Sequence, residues 1–187
     1  MSYFPAYLKM DDKRVLIVGG GNISHEKLVH LLDFTNNIAL ISKEFSEKIL
    51  KIIKENGLKY YQKEYQKGDI KGFDIVIVAI DDIKLQKDIY NEAKSLHILC
   101  NAVDSVKYCD FIFPSYIKKG DLIISVSTSG SSPAVAKYLR RYIQKKIPND
   151  IDNFLKKLKH LREVFPKGKA RMKFFDEMVK RYFDSTS

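Results

Sequence analysis

Cysteine is scarce in this chain. Cys100 and Cys109 are too few for a disulfide framework, so a reducing compartment is the simplest expectation. Long apolar runs are missing as well; none approaches the roughly 20 residues that a membrane-spanning helix needs. The first seven residues lack the basic-then-apolar layout of a secretory leader, and a cytoplasmic protein with no membrane role is expected. The histidines, His25, His30, His97 and His160, are scattered, and neither cysteine stands at metal-ligand spacing from them. No metal cage is expected. Internal repeats and low-complexity tracts are absent too.

Acidic residues run short in one region only. Residues 137–187 carry 15 Lys and Arg against 6 Asp and Glu, whereas residues 1–136 carry 18 against 17. The net charge of +10 therefore belongs almost wholly to the last quarter. Such asymmetry attracts nucleic acid, an anionic membrane or a polyanionic small molecule; a solvated helical face is an equal alternative. Hydrophobic residues at 45% and charged ones at 30% are the balance of a soluble globular protein. A length of 187 residues allows one core and a modest second unit.

The most informative stretch is 14–24, which reads as a buried strand, a glycine-only turn and the start of a helix. Gly19, Gly21 and Ser24 fall where a dinucleotide fingerprint expects its three small residues. The first permits the tight turn, the second lets backbone approach a pyrophosphate, and the third lets helix and strand pack closely. Exposed N–H groups of the new helix would face the diphosphate.

Strands are predicted at 14–18, 38–42, 58–61, 73–79 and 98–103, the third of them weak. Helices are predicted at 23–34, 43–56 (closed by Gly57) and 83–96. This alternation implies right-handed crossovers and a doubly wound parallel sheet, an α/β fold. After Asp104 the pattern changes. Two strands, 111–117 and 121–127, precede a helix capped by Ser132 with Pro133 at its first position, ending at Pro148. Helices at 150–165 and 169–183 follow.

In such a sheet ligands bind beyond the carboxyl ends of the strands. Four segments meet there: Gly19 to Ile23, Ser42 to Glu44, Ala79 to Asp82, and Asn101 to Asp104. The second strand ends without the acidic residue of a standard NAD site. Glu44 is placed to serve the ribose from the loop, while Lys43 would tolerate a 2′-phosphate, so NAD and NADP both stay open. Asp81 and Asp82 read more readily as a helix N-terminal pair than as a catalytic site. Asp104 ends a strand and leads into a loop, a position for a carboxylate that takes a proton as hydride leaves. Asp110 is a second candidate. The turn Ser127, Thr128, Ser129, Gly130, Ser131 collects hydroxyls and N–H groups suited to carboxylate or phosphate, and equally to helix capping.

Together these segments resemble the precorrin-2 dehydrogenase family, of the siroheme synthase N-terminal type. The resemblance rests on Tyr3-Phe4-Pro5-Ala6-Tyr7, residues 15–23, Ala79-Ile80-Asp81-Asp82, Asn101-Ala102-Val103-Asp104, Cys109-Asp110-Phe111-Ile112-Phe113-Pro114 and Ser127-Thr128-Ser129-Gly130-Ser131-Ser132-Pro133. Their order and spacing hold from residue 3 to about Pro148. The resemblance implies NAD-dependent oxidation of precorrin-2 to sirohydrochlorin in siroheme biosynthesis. In some members the same protein also inserts ferrous iron as a ferrochelatase.

The resemblance further implies a Rossmann domain over 1–113, a small α+β dimerisation segment over 114–148 and a helical C-terminal domain over 149–187. A homodimer is expected on this ground. The family's active-site aspartate falls on Asp104, and its cofactor contacts fall on Asn22, Ile23, Lys43 and Glu44. Gly19, Gly21, Ala79, Asp81 and Asn101 complete the expected NAD site, and Ser127 to Ser131 the substrate site. Ile80 stands where the family usually has Thr, and Ser24 where alanine is usual. A basic cleft would suit the polycarboxylate macrocycle. The rival readings are a non-catalytic NAD-sensing module and nucleic-acid binding by the tail. Against the second, the tail's lysines alternate with core positions such as Phe154, Leu155, Leu158 and Leu161.

Overall fold

The computed structural model describes residues 3–103 and 105–185 and divides into two compact units, 1–112 and 113–187. The first is a five-stranded parallel sheet in the order β3-β2-β1-β4-β5. Its strands are β1 (Val15–Val18), β2 (Ile38–Ser42), β3 (Lys59–Gln62), β4 (Ile75–Val78) and β5 (Leu99–Ala102). Helices α1 (Asn22–Leu32), α2 (Glu47–Asn56) and α3 (Ile83–Ser95) make the crossovers. Strands β1 and β4 are apolar throughout and wholly buried, as expected of central strands covered on both faces. β3 is exposed along its length at the edge.

Side-chain alternation divides the core. Leu16, Val18, Ala39, Ile41, Val76, Val78, Cys100 and Ala102 point to one face, where they pack with Ile89 and Ala93 of α3. Val15, Ile17, Leu40 and Ile77 point the other way, leaving the buried Leu28 and Leu31 of α1 and Ile49 and Ile53 of α2 for that side. Each such buried aliphatic side chain stabilises by about 1.5–3 kcal/mol. The doubly wound parallel fold expected from the alternation is the one observed.

Two local expectations shift. The second helix was expected from residue 43 but begins at Glu47, because residues 43–46 form a rim in which the Ser46 N–H donates to the Gly20 carbonyl at 2.9 Å. A strand was expected from 111, yet β6 begins at Ser115. The preceding residues are held against β5 instead: the Asp110 N–H donates to Cys100 O at 2.8 Å, and Asn101 bridges Cys109. Gly57 does close α2, with φ of 62° in the left-handed region.

The second unit pairs β6 (Ser115–Lys119) with β7 (Leu122–Val126) as an antiparallel hairpin. Its two-residue turn puts Gly120 at φ 56°, where the Asp152 side chain packs against it and leaves no room for a Cβ. Helices α4 (Pro133–Lys146), α5 (Ile151–Val164) and α6 (Lys169–Asp184) follow, so this unit holds both the 114–148 segment and the helices beyond it. Ser132 caps α4 by accepting from the Val135 N–H at 3.3 Å, with Pro133 at the first helical position. Phe154 of α5 stacks on Tyr182 of α6 with ring centroids 3.9 Å apart.

Candidate cofactor site

Strand order reverses at β1 and β4, and the loops leaving their carboxyl ends build a cleft of about 780 Å³ in the first unit. That is the size of a small-molecule site. The three glycines on its floor differ in what they require. Gly19 has φ of 130°, and a Cβ there would overlap the Ala79 carbonyl. At Gly20 a Cβ would overlap the Glu44 carbonyl. Gly21 has no neighbour within 4 Å of that position, so its bare backbone faces open space at the N-terminus of α1. The N–H groups of the first helical turn have no intrahelical partners, and α1 has no side-chain cap. Open backbone at Gly21 beside these donors fits a diphosphate.

Ser24 is fully buried and donates from Oγ to Ala79 O at 3.4 Å, tying α1 to the end of β4. The hydroxyl in place of a methyl is thus absorbed by a hydrogen bond. Ala79, also expected at the cofactor, is not among the residues that line the cleft; its carbonyl lies against Gly19 and accepts from Ser24.

Of the residues expected at the cofactor, Gly19, Gly21, Lys43, Glu44 and Asp81 line the cleft. Gly20, Ser42, Phe45, Ser46, Lys63, Glu64, Tyr65, Ile80, Asp82 and Leu85 line it with them. Asn22 and Ile23 belong to the first turn of α1 beside it. Asn101 is elsewhere. It is buried, and its amide nitrogen donates to Phe111 O at 2.7 Å, with Cys109 Sγ at 3.5 Å, so it locks a loop. Asp82 accepts from the Leu85 N–H at 3.0 Å and caps α3. Ile80 presents an apolar wall where a hydroxyl was in question.

Asp104 lies outside the described residues. Its chain neighbours are held by Gln86, a buried polar side chain on the core face of α3. Gln86 Nε2 donates to Ile80 O at 2.7 Å and to Val103 O at 3.3 Å, while Ser105 Oγ donates to its Oε1 at 2.6 Å. Sequence reasoning missed Gln86 and Gly20. The signal for Gln86 was a polar residue in register with Ile89 and Ala93; for Gly20 it was the third glycine of the triplet.

Asp110 is committed to structure. Its carboxylate accepts from the Cys100 N–H at 3.0 Å and pairs with Lys94 at 3.0 Å. Beyond β3, Tyr65 donates to Glu92 at 2.8 Å, and Glu92 also accepts from the Gly68 N–H at 2.7 Å, which fixes one wall of the cleft. Burial, then that bond, raises the Tyr65 phenol above its usual range.

The turn of Ser127 to Ser131 lies in the second unit. There Thr128 Oγ1 bonds Ser132 in both directions at 3.0 Å, and Ser127 Oγ accepts from the Ser129 N–H at 3.0 Å. Ser129, at φ 51°, is held in a conformation that side chains seldom adopt. Among the described residues no group of three or more His, Cys, Asp or Glu could hold a metal ion, and no helix is long and apolar enough to cross a membrane.

The strand order, the glycine turn and the open helix terminus define a dinucleotide-binding α/β domain. The chain belongs to the NAD(P)-binding family, whose model matches residues 6–115, and its cofactor class is therefore a nicotinamide dinucleotide. Siroheme synthases are similar over nearly the whole chain. That of Methylococcus capsulatus is 32% identical over 183 residues, covering 96% of this chain and 39% of its own length. That of Ruthia magnifica subsp. Calyptogena magnifica is 29% identical over 183 residues, covering 98% and 38%. The chain thus spans under half the length of these relatives. The solved structure of SirC, a precorrin-2 dehydrogenase, shares the fold with a TM-score of 0.80 at 19% identity, covering 97% of this chain and 91% of that one. The resemblance drawn from the motifs is borne out.

Proposed function

We propose that this protein is an NAD-dependent precorrin-2 dehydrogenase forming sirohydrochlorin on the way to siroheme. The observation that carries the reading is the cleft itself, walled by Gly19 to Gly21 and the rims of β2 and β4, in a chain of which nearly the whole length is similar to part of the siroheme synthases. When bound, NAD supplies the hydride acceptor. The chain's part is to orient and to move a proton. The α1 terminus and Gly21 hold the diphosphate, and Glu44 meets the ribose hydroxyls. Asp104 accepts the proton released as the substrate carbon loses hydride. Gln86 restrains the residues on both sides of it. The cationic tail attracts the polycarboxylate substrate.

The exposed apolar face of α4, with Val135, Tyr138 and Tyr142, supports a homodimer built through residues 114–148. Sedimentation of the purified protein tests that assignment. The activity is tested anaerobically with precorrin-2, with and without NAD and ferrous iron. NADH absorbance must grow only when substrate and NAD are both present. A protein that binds NAD yet leaves precorrin-2 unoxidised is instead a nucleotide-sensing module. Sirohydrochlorin consumption on adding ferrous iron reports chelation by the same protein.

A further inference from the structure

β2 and β3 are parallel neighbours, with Ser42 opposite Gln62. The chain therefore leaves both strands at the same height, and this register brings Lys43 and Glu64 together at the cleft rim, where their side chains form an ion pair. Lys63, also at the rim, is bound to Asp69 at 2.7 Å. Both rim lysines are thus neutralised, and Glu44 makes no ion pair among the described residues. The edge of the cleft beyond β2 consequently presents net negative charge, although its lysines alone would suggest the opposite.

We propose that Glu64 is a specificity-determining residue: by holding Lys43 it denies a cation to a 2′-phosphate, and with Glu44 it selects a dinucleotide bearing a free 2′-hydroxyl. The inference rests on the reading of the cleft as a nicotinamide-dinucleotide site. A 2′-phosphate carries up to two negative charges and would meet the Glu44 carboxylate, with both rim lysines already engaged by Glu64 and Asp69. The Glu64 hydrogen bond also raises the Lys43 pKa, so the ammonium stays charged and engaged. Glu64 comes from the loop that follows the edge strand β3, whereas the acidic residue of the usual fingerprint ends the second strand.

The test is equilibrium binding of NAD and NADP by calorimetry at low salt, on the full chain and on E64Q, K43Q and the double variant. E64Q should shift relative affinity toward NADP by roughly five- to tenfold. The double variant should lose that gain, because it depends on the freed Lys43. The gain should also shrink in high salt. An unchanged ratio in E64Q, a gain that survives in the double variant, or a parent protein that prefers NADP would overturn the proposal while leaving the cofactor reading standing. A parent that binds neither nucleotide would overturn both.

Discussion

Ser105 Oγ donates to Gln86 Oε1 at 2.6 Å, and the other end of the same amide donates to the carbonyls of Ile80 and Val103. One side chain of α3 thereby joins the carboxyl ends of β4 and β5. Gln86→Leu keeps the volume and removes all three bonds. We expect a loss of about 1–3 kcal/mol in urea denaturation, because the freed polar groups are left without partners. Precorrin-2 turnover should fall further than NAD affinity. Equal losses in both would show that Gln86 supports the domain in general rather than Val103 and Ser105, the chain neighbours of Asp104.

The three glycines should separate fold from ligand. Gly19→Ala meets both a backbone clash and a left-handed φ, and should cost about 3 kcal/mol or more. Gly20→Ala pushes on the Glu44 carbonyl and should also destabilise. Gly21→Ala meets nothing in the protein. Its melting should change by under about 0.5 kcal/mol, while NAD affinity should drop about tenfold as the methyl occupies the space left for the diphosphate. A Gly21→Ala protein with parent affinity would rule out that path of approach.

The two aspartates of the fifth-strand region should fail differently. Asp104→Asn should retain stability and NAD binding and lose about a hundredfold or more in turnover, as expected for a proton acceptor. Asp110→Ala removes the partner of the Cys100 N–H and of Lys94. It should cost about 1–3 kcal/mol in stability. Parallel denaturation and NADH-growth assays compare the two; a turnover collapse in Asp110→Ala at full stability would reverse the roles.

Alkaline pH should weaken the first unit. Burial, then the nearby Asp110 charge, pushes the Cys100 thiol up to about 12. The folded protein therefore holds this proton more tightly than the unfolded chain, whose thiol titrates near about 8.5. The resulting stabilisation is complete below that value and is lost as pH rises toward 12. Tyr65 acts in the same direction. Urea midpoints measured from about pH 8 to about pH 10.5 should decline, and less steeply in Cys100→Ala. A Cys100→Ala slope equal to the parent's would remove the thiol from the account.

Where interactions were local, the chain could be read directly. The apolar runs of β1 and β4, the glycine turn, Gly57 after α2 and Ser132-Pro133 before α4 each act within a few residues. Their composition announces their conformation. Asn101 misled because a polar residue at a strand end looks the same whether it faces a ligand or a loop ten residues away. Phe111 misled for a related reason, since β propensity does not reveal that its carbonyl is already claimed.

What the amino-acid order determined alone was the class of protein: hydrophobic period, glycine placement and turn chemistry dictate a parallel α/β sheet with an open helix terminus. What only tertiary structure decided was who meets whom across the sheet. Gly20 must be small because Glu44 passes over it, Gln86 gathers two strand ends, and the Lys43 ammonium is engaged by Glu64. Each of these depends on segments brought together by strand register and crossover, and such pairings are set by the packing of the whole domain rather than by any short stretch of chain.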